Sequence, residues 1–410
     1  KELIMELWIT ISPLLFDWLN LIVRWIHVIV GIAWIGTSFY FNWLDSRLDK
    51  DIDKENIEGE LWSVHSGGFY NIHKLKEPPK KFPKELHWFK WEAYTTWISG
   101  FVLLIIVYYL NAEGLMIDKN VNDITPLTAV IISIIFLISS WFLYDLLCKS
   151  KLINQTALFT TICFIISVIV CYFLTKIYGS RAAYIHVGAS LGTIMALNVF
   201  RVIIPSQKNM VNAALSNQKP DMSMANSAKT RSIHNNYMTL PVLFIMISAH
   251  YPFTYGHKYN WLILALISVI GVLVRHYFNL RNKKQYKPWI LPVAAIGMVL
   301  LIFYTALPKI ISNQDNAVLS TEKISFVEIN NIIKYRCGVC HTTKPTFEDF
   351  EDPPLGIIFD TPEDIIKNID KIKAQVIDSD VMPPGNLTGI TKSERKKISL
   401  WIKLGAKINN

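Results

Sequence analysis

The chain has 410 residues, of which 51% are hydrophobic and 18% charged, and it carries a net charge of +9 with a mean hydropathy of +0.30. Since an average soluble domain has roughly 25% charged residues, this composition excludes a disordered chain or a small disulfide scaffold and disfavours a soluble enzyme. Nucleic acid is not an expected partner, because residues 321–410 hold 13 Lys and Arg against 13 Asp and Glu, and the positive surplus lies in loops between apolar segments.

Eight apolar segments are long enough to cross a bilayer core of about 30 Å as helices, which takes around 20 residues. The sequence therefore predicts an all-α fold, with an eight-span transmembrane helical bundle at 1–307. The sixth segment is the weakest, because it opens with the polar run RSIHNNY. The eight segments are 13–44, 91–110, 127–147, 156–175, 182–204, 236–249, 259–280 and 289–307.

Loop charges predict the orientation of this bundle. The loops after spans one, three, five and seven hold 19 Lys and Arg, whereas the N-terminus and the other loops hold about one each. Positively charged loops stay on the cytoplasmic side, so both termini are expected on the periplasmic side of the cytoplasmic (inner) membrane. Lys80 and Lys81 in the first loop are expected to contact anionic membrane lipid.

After a polar linker at 308–320, residues 321–410 are predicted to form a small helical domain. The segments SFVEINNIIKY and TKSERKKISLWIKLGAK place apolar residues at intervals of three and four, which is typical of amphipathic helices. Thr391 and Glu394 form a capping-box pattern at the start of the second helix.

This tail contains a haem-attachment signature, C-x-x-C-H, at Cys337, Cys340 and His341. Two thiols one helical turn apart can reach the two vinyl groups of a haem, and the adjacent imidazole can bind the iron. A redox dithiol or half of a zinc site would not explain that histidine, so we expect a covalent haem c. Met382 is the expected second iron ligand; the alternative is a methionine that fills a core gap. With Trp401 on its last helix, the tail resembles a class I cytochrome c.

Polar residues also recur inside the predicted spans, where ionisable groups are costly and usually face the bundle interior. On the first span, Asp17, Asn20, Arg24, His27 and Gly31 follow one another at intervals of three and four, so they share one helical face. This face is either an interhelical hydrogen-bond seam or the wall of a substrate or cofactor site.

Three histidines are predicted to lie towards the outer leaflet: His27 on the first span, His186 on the fifth and His250 at the outer end of the sixth. Two of them, on different helices, would ligate a second, non-covalent haem b. The alternative for His186 is a packing histidine whose hydrogen bonds are satisfied within the protein.

A second polar set is predicted on the cytoplasmic side. It consists of Arg231, His234, Asn235, Asn236, Tyr237, Arg275 and His276. The first loop adds His65, His73, His87 and Glu92, which could bind a metal but lack a tight ligand spacing.

Five stretches of the bundle resemble the membrane-bound urate oxidase (urate hydroxylase) family. They are RWIHVIVGIAWIGTSFYFNWLDSRL, HSGGFYNIHK, HWFKWEAYTTWISGF, RAAYIHVGASLGTIMALNVFRVIIP and SIHNNYMTLPVLFIMISAHYP. Together with the cytochrome-like tail, the resemblance covers essentially the whole chain. It implies oxidation of urate to 5-hydroxyisourate in purine catabolism. Electrons would pass to the tail haem and on to a downstream cytochrome or terminal oxidase, without hydrogen peroxide as product.

The resemblance assigns no urate-binding residues, so we infer candidates from chemistry. Urate is a flat anion, and binding it needs a cation, an amide-type partner and an aromatic face. The outer candidates are Arg24, His27 and His186 for catalysis with Asn20 and Trp34 for binding, and the inner candidates for binding are His234, Asn235 and Asn236. An inner site would lie about 30 Å of bilayer core from the tail haem, so we favour the outer set for chemistry and the inner set for packing and substrate uptake.

Two other functions remain open at this point. The chain could be a membrane-anchored cytochrome that conducts electrons from quinol or a partner dehydrogenase without a catalytic site of its own. It could also be a transporter or sensor fused to a redox tail. The predicted spans contain arginine, histidine and asparagine residues that are suited to binding an anion, and this favours the urate-oxidising enzyme.

Overall fold

The computed structural model describes residues 2–52, 54–79, 81–317, 324–347, 352–379 and 381–408, with side chains from residue 14 onwards except those of 308–317. Long helices and a C-terminal helical domain make up most of this part of the chain. Lys80 and residues 318–323, which include the end of the predicted linker, lie outside the described residues.

The first part of the chain forms a helical bundle with a hairpin in its first long loop. Its elements are α1 (Glu2–Arg47), β1 (Ile57–His65), β2 (Gly68–Leu75), α2 (Trp91–Leu104, extended by a π-helical turn at Ile105–Tyr109), α3 (Ala112–Leu115), α4 (Pro126–Lys149), α5 (Thr156–Ile177), α6 (Ser180–Asn198, extended by a π-helical turn at Val199–Ile203), α7 (Ile204–Leu215), α8 (Met222–Ser248), α9 (Pro252–Tyr255), α10 (Asn260–Asn282) and α11 (Ile290–Ala317).

Within the described residues, seven helical stretches are long and apolar enough to cross a membrane. They are Leu14–Arg47, Trp91–Tyr109, Pro126–Lys149, Thr156–Ile177, Ser180–Leu215, Asn260–Asn282 and Ile290–Leu307. Many of their large apolar side chains are exposed on the outside of the bundle, as expected of helices that face lipid.

Helix α8 contains the sixth predicted span but is not among these seven, because its first half is polar. Several of its polar side chains are nevertheless buried against neighbouring helices. Pro241 lies inside α8, and a Cβ atom at Gly271 of α10 would be 3.7 Å from its ring. A Cβ atom at Gly188 of α6 would lie 2.6 Å from Ile245 of α8, so the absent side chain at Gly188 lets these two helices approach closely.

The loops of the bundle divide between two ends. At one end, which we call the hairpin end, Asp45 in the last turn of α1 forms ion pairs with Lys74 of β2 (2.7 Å) and Lys229 of α8 (3.5 Å). At the opposite end, which we call the tail end, the amide of Gly179 donates to the carbonyl of Met116 (2.8 Å), and so joins the loops before α6 and before α4. The loops therefore alternate between the two ends along the chain.

The all-α prediction is wrong for the loop after α1, which folds as an antiparallel hairpin of β1 and β2. Ser66 and Gly67 have φ angles of +49° and +76°, and His65 pairs directly with Gly68. Two central residues with positive φ are typical of the tight turn that matches the twist of paired strands. The Ser-Gly pair between aromatic and β-branched residues was the sequence signal for this turn.

The C-terminal domain consists of α12 (Phe326–Arg336), α13 (Pro362–Lys367), α14 (Ile369–Ile372, extended by a π-helical turn at Lys373–Ile377) and α15 (Lys392–Lys403). The capping box of Thr391 and Glu394 at the start of α15 is confirmed. Phe326 of α12 and Trp401 of α15 pack ring against ring at 5.7 Å in the core of the domain.

Helix α11 continues to Ala317, so residues 308–317 of the predicted linker have helical backbone. No glycine follows Leu307 in this segment, and glycine is the residue that most often ends a helix.

The C-terminal domain packs on the tail end of the bundle at two points of very close backbone approach. A Cβ atom at Gly385 would lie 2.4 Å from the backbone oxygen of Ile117, and one at Gly256 would lie 2.4 Å from the backbone oxygen of Ser379. A side chain at either position would clash, so glycine at both positions permits this contact. Gly385 belongs to the same loop as Met382.

We expect the substitution Gly385→Ala to loosen this contact. Overpacking of this kind costs about 1–3 kcal/mol, and the amides of residues 112–117 should therefore exchange with deuterium faster than in the unchanged protein. Gly389→Ala is the matched control, because Gly389 also has a positive φ (+67°) but its Cβ atom would meet only Arg336, at 3.7 Å. Equal exchange rates in the two variants would contradict the contact.

Candidate functional site

The haem-attachment signature follows directly on helix α12. The amide of Cys337 donates to the carbonyl of Ile333 (2.8 Å), while the amides of Cys340 and His341 donate to the carbonyl of Cys337 (3.1 and 2.9 Å). These bonds continue the helical path for one more turn. Cys340 and His341 therefore lie about one turn after Cys337. Residues three and four positions apart share one face of a helix.

His341 is oriented by a hydrogen bond from its Nδ1 atom to the carbonyl of Ile357 (3.0 Å), beside the ring of Phe359. Because a carbonyl only accepts, Nδ1 carries the proton and Nε2 keeps a free lone pair. Burial lowers the pKa of His341, although the bond to Ile357 acts in the opposite direction. A neutral imidazole whose second nitrogen is fixed in this way is the usual form of an iron ligand.

Met382 packs half-buried against the apolar cluster that contains Cys337 and Trp401. Its amide donates to the carbonyl of Gln375 (3.0 Å), which fixes the start of the loop that contacts the bundle. Two thiols, an oriented imidazole and a thioether in one apolar domain are a donor set that fits a covalently bound haem. No cluster of three or more His, Cys, Asp or Glu able to hold a bare metal ion occurs within the described residues.

His27 of α1 lies against α2. Its Nδ1 atom donates to the carbonyl of Thr96 and lies 3.0 Å from both that oxygen and the Oγ of Ser99. A Cβ atom at Gly100 would lie 2.9 Å from the His27 ring, so glycine at this position allows the histidine to fit. Since Nδ1 carries the proton, Nε2 is free to accept one.

Arg24 lies one helical turn from His27, and its Nη2 atom donates to the amide oxygen of Asn20 (3.1 Å). Trp34 does not join this group, although the sequence placed it there. It packs with Trp88 and Ala93 in a separate cluster, about 15 Å further along α1 at the helical rise of 1.5 Å per residue. Trp34 therefore lies at a different depth of the bundle from Arg24.

Arg181 at the start of α6 is a functional candidate that the sequence reasoning missed. Its guanidinium interacts with the hydroxyl of Tyr108, and the charge of Arg24 acts on the same hydroxyl. Burial raises the pKa of Tyr255, and the nearby charge of Arg181 opposes that rise. The buried Nε atom of Arg181 has no hydrogen-bond partner among the described residues.

Arg24, Arg181, Tyr108 and Tyr255 therefore form a positively charged, hydroxyl-bearing site at the tail end, which we call the outer site. Within the described residues, neither arginine forms an ion pair with a carboxylate. The sequence signal for Arg181 was a positive charge directly before the fifth predicted span, on the side where positive charges are scarce.

His186 is fully buried and both of its ring nitrogens are engaged. Nδ1 donates to the carbonyl of Ala182 (2.7 Å), Nε2 accepts from the Ser133 hydroxyl (2.8 Å), and the ring stacks on Tyr178 at 4.5 Å. His250, by contrast, is exposed at the end of α8. His186 therefore has no free nitrogen for iron, which leaves His27 and His250 as the remaining candidates for the expected second haem.

The inner polar set forms a hydrogen-bonded network around Arg231. Arg231 pairs with Asp145 (2.6 Å), donates to Asn198 (3.1 Å) and lies over the ring of Tyr144 at 4.9 Å. The Tyr144 hydroxyl also contacts His234 at 2.8 Å. This network satisfies its own hydrogen bonds, so it acts as packing rather than as an open site.

The remaining inner residues extend this pattern. Asn235 accepts from Asn198 (2.8 Å) and donates to the carbonyl of Met195 (2.9 Å), and Tyr237 contacts His276 at 2.8 Å. Asn236 faces α10 instead, where its side chain is hydrogen-bonded to Arg275 and Asn279.

The loop histidines do not converge on one point. His65 lies exposed at the end of β1, His73 lies 3.3 Å from Glu60, and His87 lies 4.0 Å from Glu92. Lys81 is exposed after the hairpin.

A sequence model of the family described as urate oxidase N-terminal matches residues 13–306. The chain belongs to the urate oxidase N-terminal family. This relationship indicates an oxidoreductase that acts on urate, and the matched residues contain the helical bundle with the outer site and the inner network. No match was found among curated proteins or among solved structures.

The network predicts that Arg231→Met destabilises the family's helical bundle. Removing one partner of a buried pair costs about 3 kcal/mol or more, because Asp145 and Asn198 lose their donor. Lys149→Met is the matched control, since Lys149 pairs with the same carboxylate (2.7 Å) but is 71% exposed, and exposed pairs contribute about 1 kcal/mol or less. Thermal unfolding in detergent measures both variants. Similar unfolding temperatures would contradict the structural role of Arg231.

Proposed function

We propose that the protein is a membrane-bound oxidoreductase that converts urate to 5-hydroxyisourate and passes the electrons to a haem c in its C-terminal domain. The observation that carries this proposal is the packing of the Met382 loop on the tail end of a urate oxidase family bundle, at Gly385 and Ile117. Substrate oxidation and electron acceptance would then occur in directly adjoining parts of one chain.

In this proposal α8 completes an eight-span bundle in the cytoplasmic membrane, with its polar residues shielded by neighbouring helices. The hairpin end faces the cytoplasm, because its loops carry most of the Lys and Arg. The tail end and the haem domain then face the periplasm, or the equivalent compartment.

Cys337 and Cys340 would hold the haem through thioether bonds, with His341 and Met382 as iron ligands. Together these four residues would hold a one-electron acceptor, which a downstream cytochrome or terminal oxidase would reoxidise. The Nδ1 bond of His341 to Ile357 fixes the direction in which its free Nε2 points.

The outer site would bind urate, because it combines two tyrosine hydroxyls with two arginines that pair with no carboxylate among the described residues. The outer site also lies close to the C-terminal domain. Tyr255 ends α9, and the next residue, Gly256, contacts Ser379 of that domain. The electron path from the outer site to the C-terminal domain would therefore be short. Guanidinium groups donate hydrogen bonds to the oxygens of a planar anion in pairs.

The overall reaction consumes urate and one water molecule and releases 5-hydroxyisourate, two protons and two electrons. His27 is suited to take one of these protons, because its Nε2 atom has a free lone pair while Nδ1 is held by Thr96. We assign no proton transfer to His186, whose two nitrogens are already engaged, and we place no step on a second haem.

Urate alone is expected to reduce the haem of the purified, air-oxidised protein under anaerobic conditions, giving the absorption spectrum of a reduced c-type haem. A variant with Cys337→Ser and Cys340→Ser is the control for covalent attachment and should lack this signal. Reduction that requires quinol or a partner dehydrogenase would contradict the proposal and favour the electron conduit.

Arg181→Gln and Arg24→Gln are expected to raise the KM for urate while haem content stays unchanged. A charge-assisted hydrogen bond contributes about 1.5–3 kcal/mol, so KM should rise about 10- to 100-fold. Lys119→Gln is the matched control, because Lys119 is a cation before α4 that is 53% exposed and pairs with Glu113. An unchanged KM in both arginine variants would refute the outer site.

A further inference from the structure

A buried pair of polar residues joins α8 and α10 in the half of the bundle nearer the hairpin end. Asn236 is 0% exposed and Arg275 is 6% exposed. The amide oxygen of Asn236 accepts from the Nε of Arg275 (2.7 Å) and from the Nδ2 of Asn279 (2.9 Å). Arg275 precedes the end of α10 by two turns, or about 10 Å.

Two strong donors at this point have no acceptor. The Nδ2 atom of Asn236 and the Nη2 atom of Arg275 are both buried without a hydrogen-bond partner among the described residues. Because the two side chains are hydrogen-bonded to each other, these two donors lie close together. Buried donors are nearly always satisfied in folded proteins, so these two donors point to an acceptor other than the described residues.

The charge of Arg275 also lacks a partner. Within the described residues no carboxylate lies within ion-pair distance of it, whereas Arg231 in the same half of the bundle has Asp145. The groups that face Arg275 are the ring of Phe39 on α1, with its centroid 3.6 Å from the guanidinium carbon, and the hydroxyl of Tyr237 on α8. An uncompensated cation inside a membrane helix is costly, and a bound anion would compensate it.

We propose that Asn236, Arg275 and Phe39 form a second, inner binding site for a planar oxopurine anion such as urate. Two adjacent N–H donors suit the oxygen-bearing edge of such an anion, and Phe39 provides an apolar flank. This inference deepens the proposed function and rests on it for the choice of ligand. Urate would be taken up from the hairpin end here, while its oxidation takes place at the outer site.

The test is the number of urate molecules bound by the full-length protein in detergent. The haem is kept reduced with dithionite so that bound urate is not oxidised, and binding is measured by equilibrium dialysis with radiolabelled urate. Asn236→Asp is the decisive variant, because its carboxylate would pair with Arg275 inside the protein and exclude an anion while preserving size. Arg275→Gln removes the cation itself.

Each of these two variants is expected to bind one urate fewer than the unchanged protein. Arg281→Gln is the matched control, because Arg281 is an exposed cation at the end of the same helix and its loss should leave the stoichiometry unchanged. If Asn236→Asp binds as many urate molecules as the unchanged protein, the inner site is refuted, even if Arg275→Gln fails to fold.

The same measurements separate this inference from the proposed function. If urate binding falls by one in Asn236→Asp but urate never reduces the oxidised haem, the inner site stands and the proposed reaction fails. If urate reduces the haem and binding is equal in all variants, the reaction stands and the inner site fails.

Discussion

The contact between the Met382 loop and the turn after α3 is the constraint on which the proposed chemistry depends. At Gly385 the loop meets the backbone of Ile117, and at Gly256 the bundle meets the backbone of Ser379, in both cases too closely for a side chain. Electron transfer falls off steeply with distance, so an iron-bearing domain is useful to a membrane oxidase only if it is held against it. Two contacts made by backbone atoms set that position more rigidly than flexible side chains would.

The sequence predicted much of the fold, because its strongest signals are local. Long apolar runs specify helices at nearly the observed places, and Thr391 with Glu394 specifies the start of α15. The hairpin was missed because its strands alternate weakly and lie in a charged loop, where the short Ser66–Gly67 turn was the only clear signal. Helix α8 was hard to predict for a different reason. Most of its buried residues are polar, so its low hydropathy hides the fact that it belongs to the bundle.

The candidate sites were only partly predictable, since they depend on which helices meet. The intervals along α1 placed Arg24 with His27, but they could not show that Trp34 packs elsewhere or that Arg181 of α6 reaches Tyr108. Nor could these intervals distinguish the role of Arg231 from that of Arg275, because the two arginines have similar sequence surroundings. Asp145 on α4 neutralises the first, and no described carboxylate reaches the second, so partners on other helices decide which arginine is structural and which is open.

Pro241 interrupts the hydrogen bonding of α8 and so separates the helix into two halves. Proline has no amide hydrogen, so the carbonyl of Tyr237, one turn earlier, receives no helical hydrogen bond. Asn236 lies on one side of this break, and the connection to α9 lies on the other. A helix bends more readily where a hydrogen bond is missing, so a tilt of the polar half would be absorbed at the proline. The occupancy of one end of the protein would then leave the alignment of the C-terminal domain at the other end undisturbed.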